Sequence, residues 1–253
     1  MKIALFSDIH ANLPALEAVL NDIATQNVDA VYCLGDLVGY APFANEVVER
    51  IRSLNIATIA GNYDDGVGRN SDDCGCAYKT ERDREMGRQS INYTNAIITE
   101  HNRNWLRNLP ATIDLKLGYD DDSLKISLVH GSPRRINEYL FEDRNNTSLL
   151  RLMSACDIMC CGHTHKPYHR LIADEAANRW KLIVNIGSVG KPKDGNPDAA
   201  YVILHLPPSP LSADLSAVRV ELRRVQYDVE AVACAIEAGP LPNEYAEMLR
   251  RAF

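Results

Sequence analysis

The chain has 253 residues, 46% of them hydrophobic and 24% charged, with a formal net charge of −7. That acidic balance argues against general nucleic-acid binding, which needs a basic face along the phosphate backbone, but leaves room for a small phosphorylated substrate whose charge a metal site neutralises locally. No apolar run approaches the ~20 residues that span a bilayer, and the first one starts at Lys2 without the charged region, apolar core and cleavage site of a secretory leader, so neither membrane association nor export is expected.

Residues 3–6 read as a buried strand that ends in Ser7-Asp8-Ile9-His10. Residues two apart on an extended chain point the same way. Asp8 and His10 are therefore expected side by side at the strand end, a carboxylate beside an imidazole, a pair that suits a divalent transition metal. Asn12 is placed to cap a helix that carries Pro14 in its first turn. Leu13, Leu16, Val19, Leu20 and Ile23 follow at spacings of three and four, the stripe of an amphipathic helix. Residues 30–34 form a second apolar run, broken by Gly35-Asp36. Residues 43–54 read as a helix with Val47, Val48 and Ile51 inward, and 56–60 as a third strand ending in Gly61-Asn62-Tyr63-Asp64. The order β-α-β-α-β implies adjacent parallel strands with helical crossovers.

Residues 65–76 dissolve into a long polar loop, and 78–103 read as one highly charged helix with only Met86, Ile91, Ala96 and Ile97 inward. Such a helix is expected to lie over a site rather than inside a core. Residues 112–117 and 124–129 bracket Gly118-Tyr119-Asp120-Asp121-Asp122 as a hairpin, and the second strand ends in His130-Gly131-Ser132-Pro133. A short helix over 148–156 leads to a strand over 158–161 that ends in Gly162-His163-Thr164-His165. Strands over 168–172, 180–185 and 200–206 come next, with Pro207-Pro208-Ser209-Pro210 as a surface loop. A half-exposed strand over 218–227 and two short helices about Gly239-Pro240 complete the chain.

The seven cysteines are an odd count, which suits a reducing cytoplasm better than a disulfide framework. Cys33, Cys160 and Cys161 lie in apolar runs and read as small core residues. Cys74-Gly75-Cys76 lacks the second half of a structural zinc site, which favours free thiols over a ligand pair.

Asp8 and His10, Asp36, Asn62, His130, and His163 and His165 thus stand at five strand ends, and these ends hold four of the seven histidines. They converge only if the strands stop at one edge, where α/β sheets hold their ligands. Singly, Asp36 also suits a turn, Asn62 a helix cap and His130 a satisfied core histidine. Jointly those readings are strained.

The blocks SDIH, GDLVGY, GNYDD, VHGSP, CGHTHKP and NIGSVGKPKDG resemble the calcineurin-like metallophosphoesterase superfamily, and within it the small prokaryotic phosphodiesterase-like branch, from Met1 to about His205. The resemblance implies an α/β fold, a four-layer α/β/β/α sandwich of two mixed β-sheets flanked by helices. It also implies a single domain over residues 1–253, with a variable cap-like insertion at about 65–108. Carried over by position, one metal would take Asp8, His10 and His165, the other Asn62, His130 and His163, with Asp36 bridging both. Two divalent ions (manganese, iron or zinc) suit this donor set. The implied reaction is hydrolysis of a phosphodiester by a metal-bridging hydroxide. Other readings are a nucleotide anhydride hydrolase such as a dinucleoside polyphosphatase, a phosphomonoesterase, or a binding module with this fold that has lost catalysis, as in a retromer subunit similar to the family.

The family usually carries histidine where this chain has Tyr63, a position implied to assist the leaving oxygen together with Asn62 and Asp64. A phenol with a pKa near ~10 is a hydrogen-bond donor rather than a matched acid, unless the ring merely packs. Lys191 and Lys193 follow the GSVG turn and are candidates to meet a substrate phosphate, the alternative being solvated loop lysines. Ser7 and Ser132 read as turn residues or hydrogen-bond donors behind the ligands.

Overall fold

The computed structural model describes residues 1–118, 123–207 and 215–253. Strand β1 (Lys2–Phe6) shows how the layers arise from a period of two. Ile3 and Leu5 face one core, which they share with residues of the second sheet such as Ile126, Leu128, Ile158 and Val184, while Ala4 and Phe6 face a core shared with helices. The same alternation recurs in β6 (Ile158–Cys161), where Ile158 and Cys160 point between the sheets and Met159 and Cys161 point outward.

The first sheet has the order β10-β9-β1-β2-β3, with β2 (Ala30–Cys33), β3 (Ala57–Thr58), β9 (Ala199–His205) and β10 (Arg219–Val225). Its β1, β2 and β3 are parallel, as the β-α-β-α-β pattern requires, and β9 runs antiparallel to β1. The second sheet has the order β4-β5-β6-β8-β7, from β4 (Thr112–Leu117), β5 (Leu124–Val129), β7 (Tyr168–Asp174) and β8 (Arg179–Asn185). Outside the first sheet lie α1 (Leu13–Thr25), α2 (Ala44–Ser53), α7 (Val229–Glu237) and α8 (Glu244–Arg251), and outside the second lies α6 (Asn146–Leu152). This is the expected four-layer sandwich. Asn12 caps α1 by accepting from the Ala15 amide at 3.1 Å.

The polar middle of the chain departs from expectation. Residues read as the start of a loop form α3 (Asn62–Gly68), whose first turn is closed by the Asp64 carboxylate accepting from the Gly61 amide at 3.0 Å. The single helix expected over 78–103 is two, α4 (Glu81–Ile97) and α5 (Glu100–Arg107). Ile98 is extended, and Thr99 restarts the helix by accepting from the Asn102 amide at 3.3 Å. The α4 start is a reciprocal cap between Thr80 and Asp83, both bonds at 3.0 Å. Met86 and Ile91 join the helix-side core, whereas Ala96, expected inward, is exposed. The buried Arg103 guanidinium ties these helices together by donating to Val67 O at 2.6 Å and to Asn95 Oδ1 at 2.8 Å.

The hairpin about Gly118 has its two strands paired as expected, but residues 119–122 of its loop, like 208–210 of the proline-rich loop, lie outside the described residues. All seven cysteines are free, with Cys33, Cys160 and Cys161 buried as read. No described helix is long and apolar enough to cross a membrane.

One contact tests how tightly the sheet edge is closed. A Cβ on Gly190 would lie 1.7 Å from Ile9 O, a backbone atom that cannot yield. Gly190→Ala is expected to lower stability by roughly 2–3 kcal/mol in urea unfolding. Gly239→Ala, whose Cβ would meet Ala235 O at an ordinary 3.4 Å, should stay within about 0.5 kcal/mol of the parent.

Candidate metal centre

All the candidate ligands come to one edge, but not by the pleat that suggested it. β1 ends at Phe6, and beyond it Asp8 and His10 adopt left-handed backbone with φ of 55° and 50°. Asp36 (φ 55°), His163 (65°) and His165 (59°) do the same after their strands. Residues other than glycine in this region cost on the order of 1 kcal/mol or more each. Hydrogen bonds across the edge hold them there. The Asp8 amide donates to Gly35 O at 2.9 Å, His10 to Asp36 O at 2.9 Å, Gly190 to Asp8 O at 2.9 Å and Gly162 to His130 O at 2.9 Å. The loops of β1, β2, β5, β6 and β8 are thereby laced to one another.

Two buried groups result, Asp8 with His10 and His165, and Asp36 with His130 and His163, the ligand atoms of each lying within 4.8 Å of one another. Three imidazoles have the same orientation device. Nδ1 of His10 donates to Val38 O at 3.0 Å, that of His130 to Leu34 O at 2.8 Å, and that of His165 to Lys191 O at 2.6 Å. A carbonyl can only accept, so Nδ1 carries a proton and Nε2 is turned into the site, as a lone pair on the neutral rings of His10 and His165. Nε2 of His10 then faces Nε2 of His165 at 3.2 Å. Two lone pairs at that distance repel unless a cation lies between them.

Asp36 stands between the groups, with Oδ2 at 3.6 Å from His10 Nε2 and 3.3 Å from His130 Nε2, while Oδ1 is fixed by the Tyr63 amide at 2.8 Å. Asn62 donates its Nδ2 to Cys74 O at 2.9 Å, which aims Oδ1 at His130 Nε2, 3.1 Å away. Asp8 Oδ1, 3.1 Å from His165 Nε2, and His163 Nε2 are buried with no hydrogen-bond partner among the described residues. Orphaned acceptors of this kind, in a set of imidazole, carboxylate and amide donors, fit divalent ions of the manganese, iron and zinc type.

The electrostatics agree. Burial opposes ionisation of Asp8, but the facing imidazoles of His165 and His130 outweigh it and hold the carboxyl well below its usual range. Burial, reinforced by neighbouring imidazole, keeps His10 and His163 far below the ordinary histidine range and so neutral, the form a metal needs. His130 is the exception. Burial opposes its charge, but Asp36 and Asp8 push it up to about 10, so that a proton sits beside two carboxylates where a bound cation would replace it.

The other expected residues lie one layer back. Asp64 accepts from Leu37 N at 2.9 Å as well as from Gly61, and burial followed by the Asp36 charge pushes it up to about 7. It splints the two loops that carry Asp36 and Asn62. Tyr63 packs edge-on to His10 at 5.4 Å, and its Oη is buried near the hydroxyls of Tyr40 and Tyr78. The ring occupies the space a side chain at Gly39 would need, where a Cβ would come within 2.4 Å and φ is +90°. Ser7 donates to Gly35 O and Ser132 to Glu138, both behind the ligands. Lys191 and Lys193 reach the site edge, the Lys193 amide donating to His165 O at 3.2 Å. Cys76 Sγ lies 3.4 Å from Asn62 Nδ2.

Three further residues shape the site, Ser188, Asn185 and Tyr139. Ser188 donates to Asp8 O at 2.7 Å and accepts from Lys191 N at 2.8 Å. Asn185 holds Gly162 O at 2.8 Å and Thr164 Oγ1 at 3.0 Å, and as the residue ending β8 it was discoverable by the strand-end pattern. Tyr139 lies over His163 with centroids 4.0 Å apart and was not discoverable locally.

The family model for the calcineurin-like phosphoesterase superfamily domain matches residues 1–207. An uncharacterized protein of Methanocaldococcus jannaschii is 34% identical over 262 aligned positions, covering 98% of this chain and 96% of its own. Among solved structures, a metallophosphoesterase from Sphaerobacter thermophilus is similar with a TM-score of 0.74 and 29% identity, covering 100% of this chain and 99% of that one. A hypothetical protein from Pyrococcus horikoshii OT3 shares the fold with a TM-score of 0.79 at 21% identity, over 100% and 98% of the two chains.

The position of Asp36 between the groups has a measurable consequence. Asp36→Ala should leave the purified protein without either ion, because two cations would then repel across the gap with one carboxylate fewer between them. Metal quantitation of parent and variant checks this, and retention of two ions per chain would contradict the bridging role.

Proposed function

The chain belongs to the calcineurin-like phosphoesterase superfamily, and we propose that it is a metal-dependent hydrolase of phosphodiesters working at a dinuclear centre. The observation that carries this reading is the pair of buried groups with Asp36 between them, together with Asp8 Oδ1 and His163 Nε2, which have no hydrogen-bond partner among the described residues. Asp8, His10 and His165 would hold one ion, and Asn62, His130 and His163 the other. The donor mix supports manganese, iron or zinc. Such a pair supplies a nucleophilic oxygen at neutral pH and neutralises phosphoryl charge.

The protein's own part is orientation and charge. The Nδ1 bonds to Val38, Leu34 and Lys191 carbonyls hold three imidazoles in register. Lys191 and Lys193 would meet the phosphate, and the insertion at 65–108 would supply one wall of the substrate cavity through Tyr78 and Met86. A non-catalytic role is disfavoured by the complete donor set. The odd cysteine count is the ground for assigning the protein to the cytoplasm.

Diesters with good leaving groups are favoured because neither expected proton donor is free. Tyr63 Oη is enclosed, burial holds its pKa well above the ordinary phenol value, and Asp64 is committed to two backbone amides. In a series of aryl and alkyl diesters the parent should show a steep dependence on leaving-group pKa. Tyr63→Phe should leave kcat/KM within about threefold, whereas loss of a working acid would cost roughly 10²-fold or more. Tyr63→His should make the slope shallower by supplying an imidazole that titrates near neutrality. A shallow slope in the parent would overturn the reading of this position.

A further inference from the structure

A cavity of about 300 Å³ lies beside the metal centre, and Tyr40, Tyr139, Tyr245, Phe253, Lys191 and Lys193 are among its walls. That volume is at the small end of the range for pockets that take organic ligands. Part of the wall comes from α8 and the residues after it, Tyr245, Met248 and Phe253, which lie beyond residue 207, where the family model stops matching. This segment is fastened on two sides. Arg82 Nε of α4 donates to Glu244 at 2.9 Å, and the Gly195 amide donates to Ala252 O at 2.9 Å.

Lys191 is the second observation. It is only 4% exposed. It lies over the ring of Tyr40 at 4.9 Å and that of Tyr245 at 5.9 Å. Ring faces compensate a buried ammonium only in part. An anion brought by a ligand would complete that compensation. Five of the lining residues are aromatic, Tyr78 and Tyr139 among them, and the acidic Asp83 also lines the cavity, while Tyr139 lies against His163 with centroids 4.0 Å apart. Aromatic walls of this kind hold planar rings by their faces.

We propose that α8 and Lys191 form a subsite for the organic part of the substrate, which is a phosphoester carrying a planar aromatic ring of nucleobase size. The ring lies among the tyrosines, with Tyr245 as the specificity-determining residue, and Lys191 meets the ester's negative charge. This deepens the phosphoesterase reading and rests on it for the reaction, but the binding step can be measured separately.

The probes are AMP and ribose 5-phosphate, titrated calorimetrically into the metal-loaded protein, with phosphate release followed so that only intact ligand is scored. AMP should bind roughly 10-fold tighter, the worth of one stacked base. Tyr245→Leu, which keeps the core filled but removes the ring, should bring the two ligands to within about twofold while leaving ribose 5-phosphate affinity as in the parent. Phe253→Ala, at a 54% exposed position, is the second variant should Tyr245→Leu lose its folded far-UV spectrum, and it should reduce the preference in the same direction. Lys191→Gln should weaken both ligands alike. Equal affinities in the parent, no binding of AMP, or a preference that survives loss of the rings would overturn the subsite. Ring-dependent binding without turnover of any ester would overturn the phosphoesterase reading and leave the subsite standing. Turnover of esters with no ring preference would do the reverse.

Discussion

A buried carboxylate set among imidazoles is the constraint on which the rest of this structure depends. Asp36 is 1% exposed, and its Oδ2 faces His10 and His130 within 3.6 Å and 3.3 Å. Charge is expensive at that depth unless it is paired and hydrogen-bonded. The neighbours are arranged accordingly, with the Tyr63 amide on Oδ1 and Asp64 holding the Gly61 and Leu37 amides on either side. Such a concentration of lone pairs and charge is tolerable only where cations are expected. The four layers serve it by bringing five strand ends to a single edge.

The cost of that convergence is carried by the backbone. Five of the candidate ligands sit in left-handed conformation, at Asp8, His10, Asp36, His163 and His165. None of these residues would hold that geometry in isolation. Interstrand carbonyls and amides over-determine it, with Gly190 allowing Ile9 O to approach where any side chain would collide. Strain concentrated at a site and balanced by its surroundings is a feature of positions where geometry has to be kept within tight limits.

Around this rigid centre the aromatic residues do a different job. Tyr63 fills the space left by Gly39 and walls off one side of His10, Tyr40 leans on both rings, and Tyr245 leans on Tyr40 from the C-terminal helix at 5.0 Å. The chain therefore couples a ligand set held by the sheets to a cavity wall assembled from three remote segments. The first is built of lone pairs at strand ends, the second of side chains supplied by helices and loops.

Much of this was legible in the residues alone, for physical reasons that are local. A ligand at a strand end needs an apolar run, a break and a donor side chain, all contiguous, and so Asp8, Asp36, Asn62, His130 and His165 could be named before any coordinates. The helices α1 and α2 were legible by their apolar spacing, α1 also by its cap, α7 and α8 only as short helices about Gly239-Pro240, and the parallel order of β1, β2 and β3 by their crossovers. The division of 78–103 at Ile98 was written in Thr99, but a charged stretch with few apolar positions hides its own break. What only the tertiary structure decided was anything set by contacts remote in sequence. Left-handed backbone at Asp8 depends on the loops that carry Gly35 and Gly190, the loss of the Asp64 carboxylate to structural duty depends on Leu37, and the enclosure of Tyr63 depends on Gly39. The meeting of Lys191 with Tyr245 spans more than fifty residues of chain. Residue type declares what a side chain can do, while the hydrogen bonds and packing that assemble around it decide which of those capacities is left free.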